Sequence, residues 1–150
     1  MSRKAKRIVQ LVVAFMLVAV FALAPSVEAF AAGSFSGGTG LQNSMNGLRS
    51  GGSFITSPSI NQNAVATSVT VNSLAISNGS DPFNLIITAP NGRDVVIQRF
   101  ARGASFPVTI NLPANTAAHG RWQVSIQHIP TLGGTGVSTI TSGRITVNWR

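Results

Sequence analysis

Beyond its first thirty residues, this 150-residue chain has four side chains suited to acid–base chemistry: His119, His128, Asp81 and Asp94. That stretch contains no cysteine and no glutamate, and the whole chain lacks tyrosine. Nucleophilic hydrolysis needs a base beside a serine and a third group that orients the base, and no serine stands in a nucleophile-elbow context. A glycosidase pair would have to be Asp81 with Asp94. These two bracket Asn91-Gly92, and Asp94 follows Arg93 in a turn, where carboxylates serve local hydrogen bonds. His119 and His128 are nine residues apart with no acidic or cysteine neighbour, which is no zinc constellation. Calcium prefers several converging oxygens, and NGSDPFN offers Asn78, Asp81 and Asn84 as its candidates. The expectation is no catalytic residue and no resident metal or cofactor, with calcium at that turn the one exception.

His128 closes the stretch GRWQVSIQHI. Trp122, Val124, Ile126 and His128 share one parity, and Arg121, Gln123, Ser125 and Gln127 the other. Side chains alternate between the faces of a sheet, so this is a strand with one buried face. Its histidine is expected to be half-buried at the sheet edge and satisfied there, and its replacement by Asn to leave any activity intact.

The elements that position these groups follow a leader. Arg3, Lys4, Lys6 and Arg7 precede an almost wholly apolar run from Ile8 to Leu23, then APSVEA with small residues at Val27 and Ala29. This is the layout of a cleavable signal peptide over 1–29, with cleavage after Ala29 or Ala31. The run is shorter than the ~20 residues that span a bilayer, so no membrane partner is expected after cleavage. Four cations and Glu28 leave with the leader, and the formal charge falls from +8 to +5. About 120 residues remain, the size of a single domain. They can bury a core without disulfides, and none is possible here.

Residues 30–52 are dominated by Gly, Ser, Asn and Gln without a sustained period, and are expected to form a flexible arm. The domain then occupies 53–150. Ser53 to Thr56 is a first strand. Val65, Thr67, Val69 and Val71 lie on one parity and Leu74 and Ile76 on the other, a slip across Asn72-Ser73 that predicts a β-bulge or a bend between sheets. Phe83, Leu85 and Ile87, then Asn91-Gly92, then Val95 to Ile97 form a hairpin. Val108, Ile110 and Leu112 mark a further strand. TLGGTG is expected to be a mobile loop, and Ile145, Val147 and Trp149 mark the last strand. No helical period occurs outside the leader. The class is therefore all-β, an antiparallel β-sandwich or jelly roll.

Seven arginines (49, 93, 99, 102, 121, 144, 150) remain against Asp81 and Asp94. If the strands of GRWQVSIQHI and SGRITVNWR pair, Arg121, Gln123 and Gln127 with Arg144, Asn148 and Arg150 make one flat arginine and amide surface. Such a surface suits anionic polymers, or is simply the solvated side of a sheet, which is the default. Nucleic acid is not expected, since no basic run or aromatic–basic interleaving occurs.

Ala89-Pro90-Asn91-Gly92 follows the alternating Phe83, Leu85 and Ile87, Gly120-x-Trp122-x-Val124-x-Ile126 opens a later strand, and Gly143-Arg144-Ile145 begins the last. From about Ser68 to Trp149 this resembles the P domain of subtilisin-like proprotein convertases, a jelly roll related in shape to galactose-binding-like domains. The matching family motifs are Ser-Pro-x-Gly, Gly-x-Trp-x-Leu-x-Val and Gly-x-Leu. The chain departs where some family members place calcium-linked residues. An Asp-Leu pair falls on Pro82 and Phe83, with Asp81 displaced by one, and an Asp or Asn falls on His128. A one-residue displacement in a strand turns a side chain to the other face, so the metal role does not carry over. The family's tryptophan-rich central segment is missing, and no protease domain lies within the sequence.

The function expected is that of a secreted, non-catalytic module, extracellular or envelope-associated, that binds an envelope component or is accessory to another exported protein. Its partner would be an anionic envelope polymer or another secreted protein. Two alternatives stand beside it: a structural matrix or coat component that assembles through the arm, and a hydrolase using Asp81, Asp94 and the two histidines.

Overall fold

The computed structural model describes residues 32–150, so the signal peptide and the first two residues of the expected arm lie outside it. Alternation decides the architecture. In β8 (Arg121–His128) the side chains of Trp122, Val124, Ile126 and His128 all turn inward and are buried. In β5 (Phe83–Thr88) Phe83, Leu85 and Ile87 do the same. β5 turns into β6 (Asp94–Phe100) through Asn91-Gly92. Gly92 takes a φ of 80°, which favours glycine, and its N–H donates to the Ala89 carbonyl at 2.9 Å. With β3 (Ser53–Thr56) these strands form a four-stranded antiparallel sheet in the order β3-β8-β5-β6.

The second sheet contains β1 (Gly33–Thr39), β2 (Gln42–Met45), β4 (Val65–Ile76), β7 (Val108–Ala117) and β9 (Val137–Trp149). Its order is β1-β9-β4-β7, and β2 also pairs with β9. Val69, Val71, Ile140, Ile145 and Val147 point from it toward Trp122, Phe83, Leu85 and Ile87, and together they make one core. Register slips in β4 between Val71 and Ser73, so the change of parity is a bulge within one strand and not a bend between sheets. The Trp122 indole N–H donates to the Ala118 carbonyl at 3.0 Å, so the largest core side chain leaves no polar group unpaired. The described residues are a two-sheet, all-β sandwich with no helix.

The Gly/Ser/Asn-rich stretch corrects the expectation of a flexible arm, because it supplies two strands of the five-stranded sheet and hydrogen-bonds to β8 of the other. β1 pairs with β9 from Gly33–Trp149 to Thr39–Gly143, and β2 continues along the same strand from Gln42–Ile140 to Met45–Val137. The glycines serve close packing. A methyl group at Gly37 would come within 2.8 Å of the Ile55 side chain, and one at Gly33 within 2.7 Å of the Trp149 ring. The hydroxyls and amides serve β8. β3 covers that strand's edge only between Arg121 and Val124. Farther along, the Gln42 amide donates to the Val124 carbonyl at 3.0 Å, and Ser50 Oγ accepts from Ile126 N–H at 3.0 Å. Ser50 N–H donates to the Ile126 carbonyl at 2.8 Å, and Ser44 Oγ accepts from His128 N–H at 2.6 Å. Residues 42–52 thus act as a polar strap over β8. Composition argued for disorder because these side chains bury little oil, but their value lies in satisfying backbone groups that would otherwise be buried unpaired.

Two substitutions test this packing by urea denaturation followed by far-ultraviolet circular dichroism. Trp122→Ala should remove about 3–5 kcal/mol from a total stability of roughly 5–15 kcal/mol, leaving a marginal or unfolded chain. Gly37→Ala should destabilise by about 1–3 kcal/mol, as overpacking against a buried side chain does. A neutral Gly37→Ala variant would mean that β1 is not seated on Ile55.

Candidate functional site

The strongest concentration of chemistry-bearing groups lies at one end of the sandwich, where β8 ends and β5 begins. His128 is 3% exposed, and its Nε2 stands 3.2 Å from Oδ2 of Asp81. Gly47 N–H donates to His128 Nδ1 at 3.2 Å. That bond occupies the Nδ1 lone pair and leaves the ring proton on Nε2, facing the carboxylate. Asp81 also accepts from Thr135 N–H at 3.1 Å and from Gly136 N–H at 2.7 Å. The TLGGTG loop, expected to be mobile, is therefore tied to a buried carboxylate. A methyl group at Gly134 would collide with Thr131 and with that carboxylate, which explains the glycine.

Burial by itself pushes the Asp81 carboxyl up. The hydrogen bond with His128, the N–H groups of Thr135 and Gly136 and the attraction of His128 outweigh burial, so the group titrates below its ordinary 3.8. Every polar atom of the Asp81 and His128 side chains meets a donor or acceptor from the chain itself. Ser44 lies close by, yet its hydroxyl accepts from the His128 backbone and donates to the Leu48 carbonyl. No base faces a nucleophile, and the cluster works as a pin. It fastens the β4–β5 turn, the end of β8, the β8–β9 loop and the strap to one another. His128 is thus fully buried at an inner strand rather than half-buried at a sheet edge.

The other aspartate is engaged at a different place. Arg49, from the strap, donates to both carboxylate oxygens of Asp94 at 3.0 and 3.1 Å, to Thr88 at 2.6 Å and to Ser125 at 2.6 Å. Thr88 in turn donates to Asp94 at 2.6 Å. One arginine thereby crosses the outer face of β8, β5 and β6.

His119 is exposed in the turn before β8, and His128 ends that strand; nine extended residues place them about 30 Å apart. Asp81 and Asp94 sit in separate networks. The calcium candidates do not converge. Asn78 is exposed in the β4–β5 turn, Asn84 lies on the outward parity of β5, and both Asp81 oxygens face hydrogen-bond donors. No three of His, Cys, Asp or Glu among the described residues are grouped to hold a metal ion.

The expected single arginine and amide surface is divided in two, because β8 and β9 belong to different sheets. Arg121, Gln123 and Gln127 face outward from the four-stranded sheet, and Arg144 and Asn148 from the other, with Arg150 just past its end. The parities were legible, but parity does not say which strand joins which sheet. Sequence reasoning also missed Arg49, Phe54 and the Asp81–His128 pair. One signal pointed to that pair: a histidine on a buried parity needs a partner, and only two aspartates follow the leader. Phe54 lies on β3 beneath Arg121, whose guanidinium carbon sits 3.5 Å from the ring centre.

The lowered value at Asp81 fixes a pH dependence. Its contribution is complete above 3.8 and is lost as the pH falls below that value through the folded one. Denaturant unfolding across that range should show the wild-type chain losing stability on acidification. Asp81→Asn should be less stable at neutral pH and show a shallower acid loss; identical acid profiles would remove Asp81 from the pin. No protein-family model matches the chain, and no curated protein matches it in sequence.

Proposed function

We propose that the protein is an exported, non-catalytic β-sandwich module that binds a component of the cell envelope or serves as an accessory to another exported protein. One observation carries this reading: three of the four titratable groups that catalysis would need are committed to internal bonds, and the fourth has none of them beside it. Asp81 and His128 saturate each other and their backbone neighbours, Asp94 is held by Arg49, and His119 stands alone at the opposite end of β8. The jelly-roll wiring of a P-domain-like fold belongs to the same proposal. It is supported by the burial of Trp122, Val124 and Ile126, which match that family's Gly-x-Trp motif. Residues 33–56 are spent on this chain's own sheets, which favours a self-contained module over a coat protein with a free assembly arm.

The test is co-sedimentation of the leaderless chain with isolated cell envelope, alongside a pull-down from the secreted fraction. The module reading expects the folded chain to pellet with the envelope or to retain a defined exported protein. It also expects His119→Ala to behave as wild type. A chain that stays in the supernatant at every salt concentration and retains nothing would overturn it.

A further inference from the structure

Charge is scarce on this molecule and unevenly placed. Among the described residues there are seven arginines and two aspartates. Asp81 is held by His128 and Asp94 by Arg49, so Arg93, Arg99, Arg102, Arg121, Arg144 and Arg150 have no carboxylate side chain left to pair with there. Two of these six are on strands of the four-stranded sheet and two more lie in the chain flanking β6. Arg121 is on β8, Arg99 on β6, Arg93 in the β5–β6 turn and Arg102 just beyond β6. The outer face of the other sheet differs. Apart from Arg144 it carries short hydroxyls and amides that bond to one another, as Thr70 does to Thr109 at 3.0 Å and Asn148 to Ser68 at 3.0 Å.

We propose that the outer face of the four-stranded sheet is the docking surface, and that its occupant is a phosphodiester-linked anionic polymer of the envelope. The proposal rests on the binding-module reading and assigns that module a face and a ligand class. Charge complementarity is its first support. Guanidinium groups fork onto phosphate oxygens, and this face has no unpaired carboxylate to compete. Preorganisation is the second. Arg121 sits over Phe54, which remains 47% exposed, so the guanidinium is steered without a salt bridge that a ligand would first have to break.

Spacing is the third support. Arg99 shares a cross-strand row with Asn84 and Gln127, and Gln127 lies six residues along β8 from Arg121. The two cationic posts are thus about 20 Å apart along the strands and about 10 Å across them. A single phosphate reaches one post; an extended polymer reaches both and gains from their joint attachment. Between the posts Gln123 and Gln127 donate to the strap at Gly51 and Gly47, so the polymer passes over the strap and Arg49, which cover Ser125 and Thr88, rather than over bare sheet. Nucleic acid is disfavoured because successive bases need several aromatic platforms, and Phe54 is one ring shared with Arg121.

The experiment measures binding of the leaderless chain to poly(glycerol phosphate) across a salt series, with free glycerol phosphate, polygalacturonate and a single-stranded oligonucleotide as comparators. The proposal expects polymer binding that weakens with salt, and little competition from glycerol phosphate at equal phosphate concentration. Arg99→Gln combined with Arg121→Gln should lose at least tenfold in affinity with an unchanged unfolding midpoint. Arg144→Gln, on the other face, should stay within twofold of wild type. Equal losses in the two variants, no loss in the double variant, or tighter binding to polygalacturonate or the oligonucleotide would overturn the proposal. Absence of polymer binding would also overturn it, whereas the module reading would fail separately, in the envelope and pull-down assays.

Discussion

A strand buried on its inner face and flanked on both edges must have every backbone group answered, and β8 sets that demand for the whole molecule. Its Trp122, Val124 and Ile126 side chains fill the middle of the core, so water cannot serve the adjacent N–H and C=O groups. β5 answers one edge along six residues. The other edge is too long for β3, and the remainder falls to Gln42, Ser44 and Ser50. The strap's polar composition, its closeness to both sheets and the turn that brings Gly47 to His128 all follow from that single requirement.

The same economy governs charge. Only two carboxylates serve the described residues, and each sits where several elements meet. Asp81 closes the end of the sandwich around buried groups, and Asp94 clamps Arg49 over the sheet's outer face. Both carboxylates are engaged by the chain's own donors. A consequence is a surface with almost no negative side chains. Its positive ones are weighted toward one sheet, so the two faces of the sandwich differ: one mostly hydroxylated with Arg144 as its cation, the other richer in arginine with an aromatic ring set into it.

Much of the sandwich was legible because alternation is a local signal. The β5–β6 hairpin, the inward row of β8 and the change of parity in β4 could be read from residues within a dozen positions of one another. What was not legible depends on distance along the chain. Asp81 and His128 are separated by 47 positions and Gln42 and Val124 by 82, and no local pattern announces either contact. β1 evaded recognition for another reason. Its inward row is Gly33, Phe35, Gly37 and Thr39, in which two positions have no side chain and a third is polar, so the hydrophobic period nearly vanishes. Packing against Trp149 and Ile55 selected those glycines, and neither residue is near them in sequence. Assignment of β8 and β9 to separate sheets had no sequence signature at all.

The pairing of β1 with β9 has a kinetic side. Gly33 is matched with Trp149, so the first strand of the fold is made more than a hundred residues before its partner exists. During that interval it is an open edge, the kind of segment that recruits stray strands when it is flat and apolar. Gly-Ser-Phe-Ser-Gly-Gly-Thr is poorly suited to such recruitment, since it carries a single large apolar side chain and loses much conformational freedom on ordering. A composition that looks like disorder is thus well matched to a strand that must wait: unattractive to strangers, and complete only when its own partner arrives.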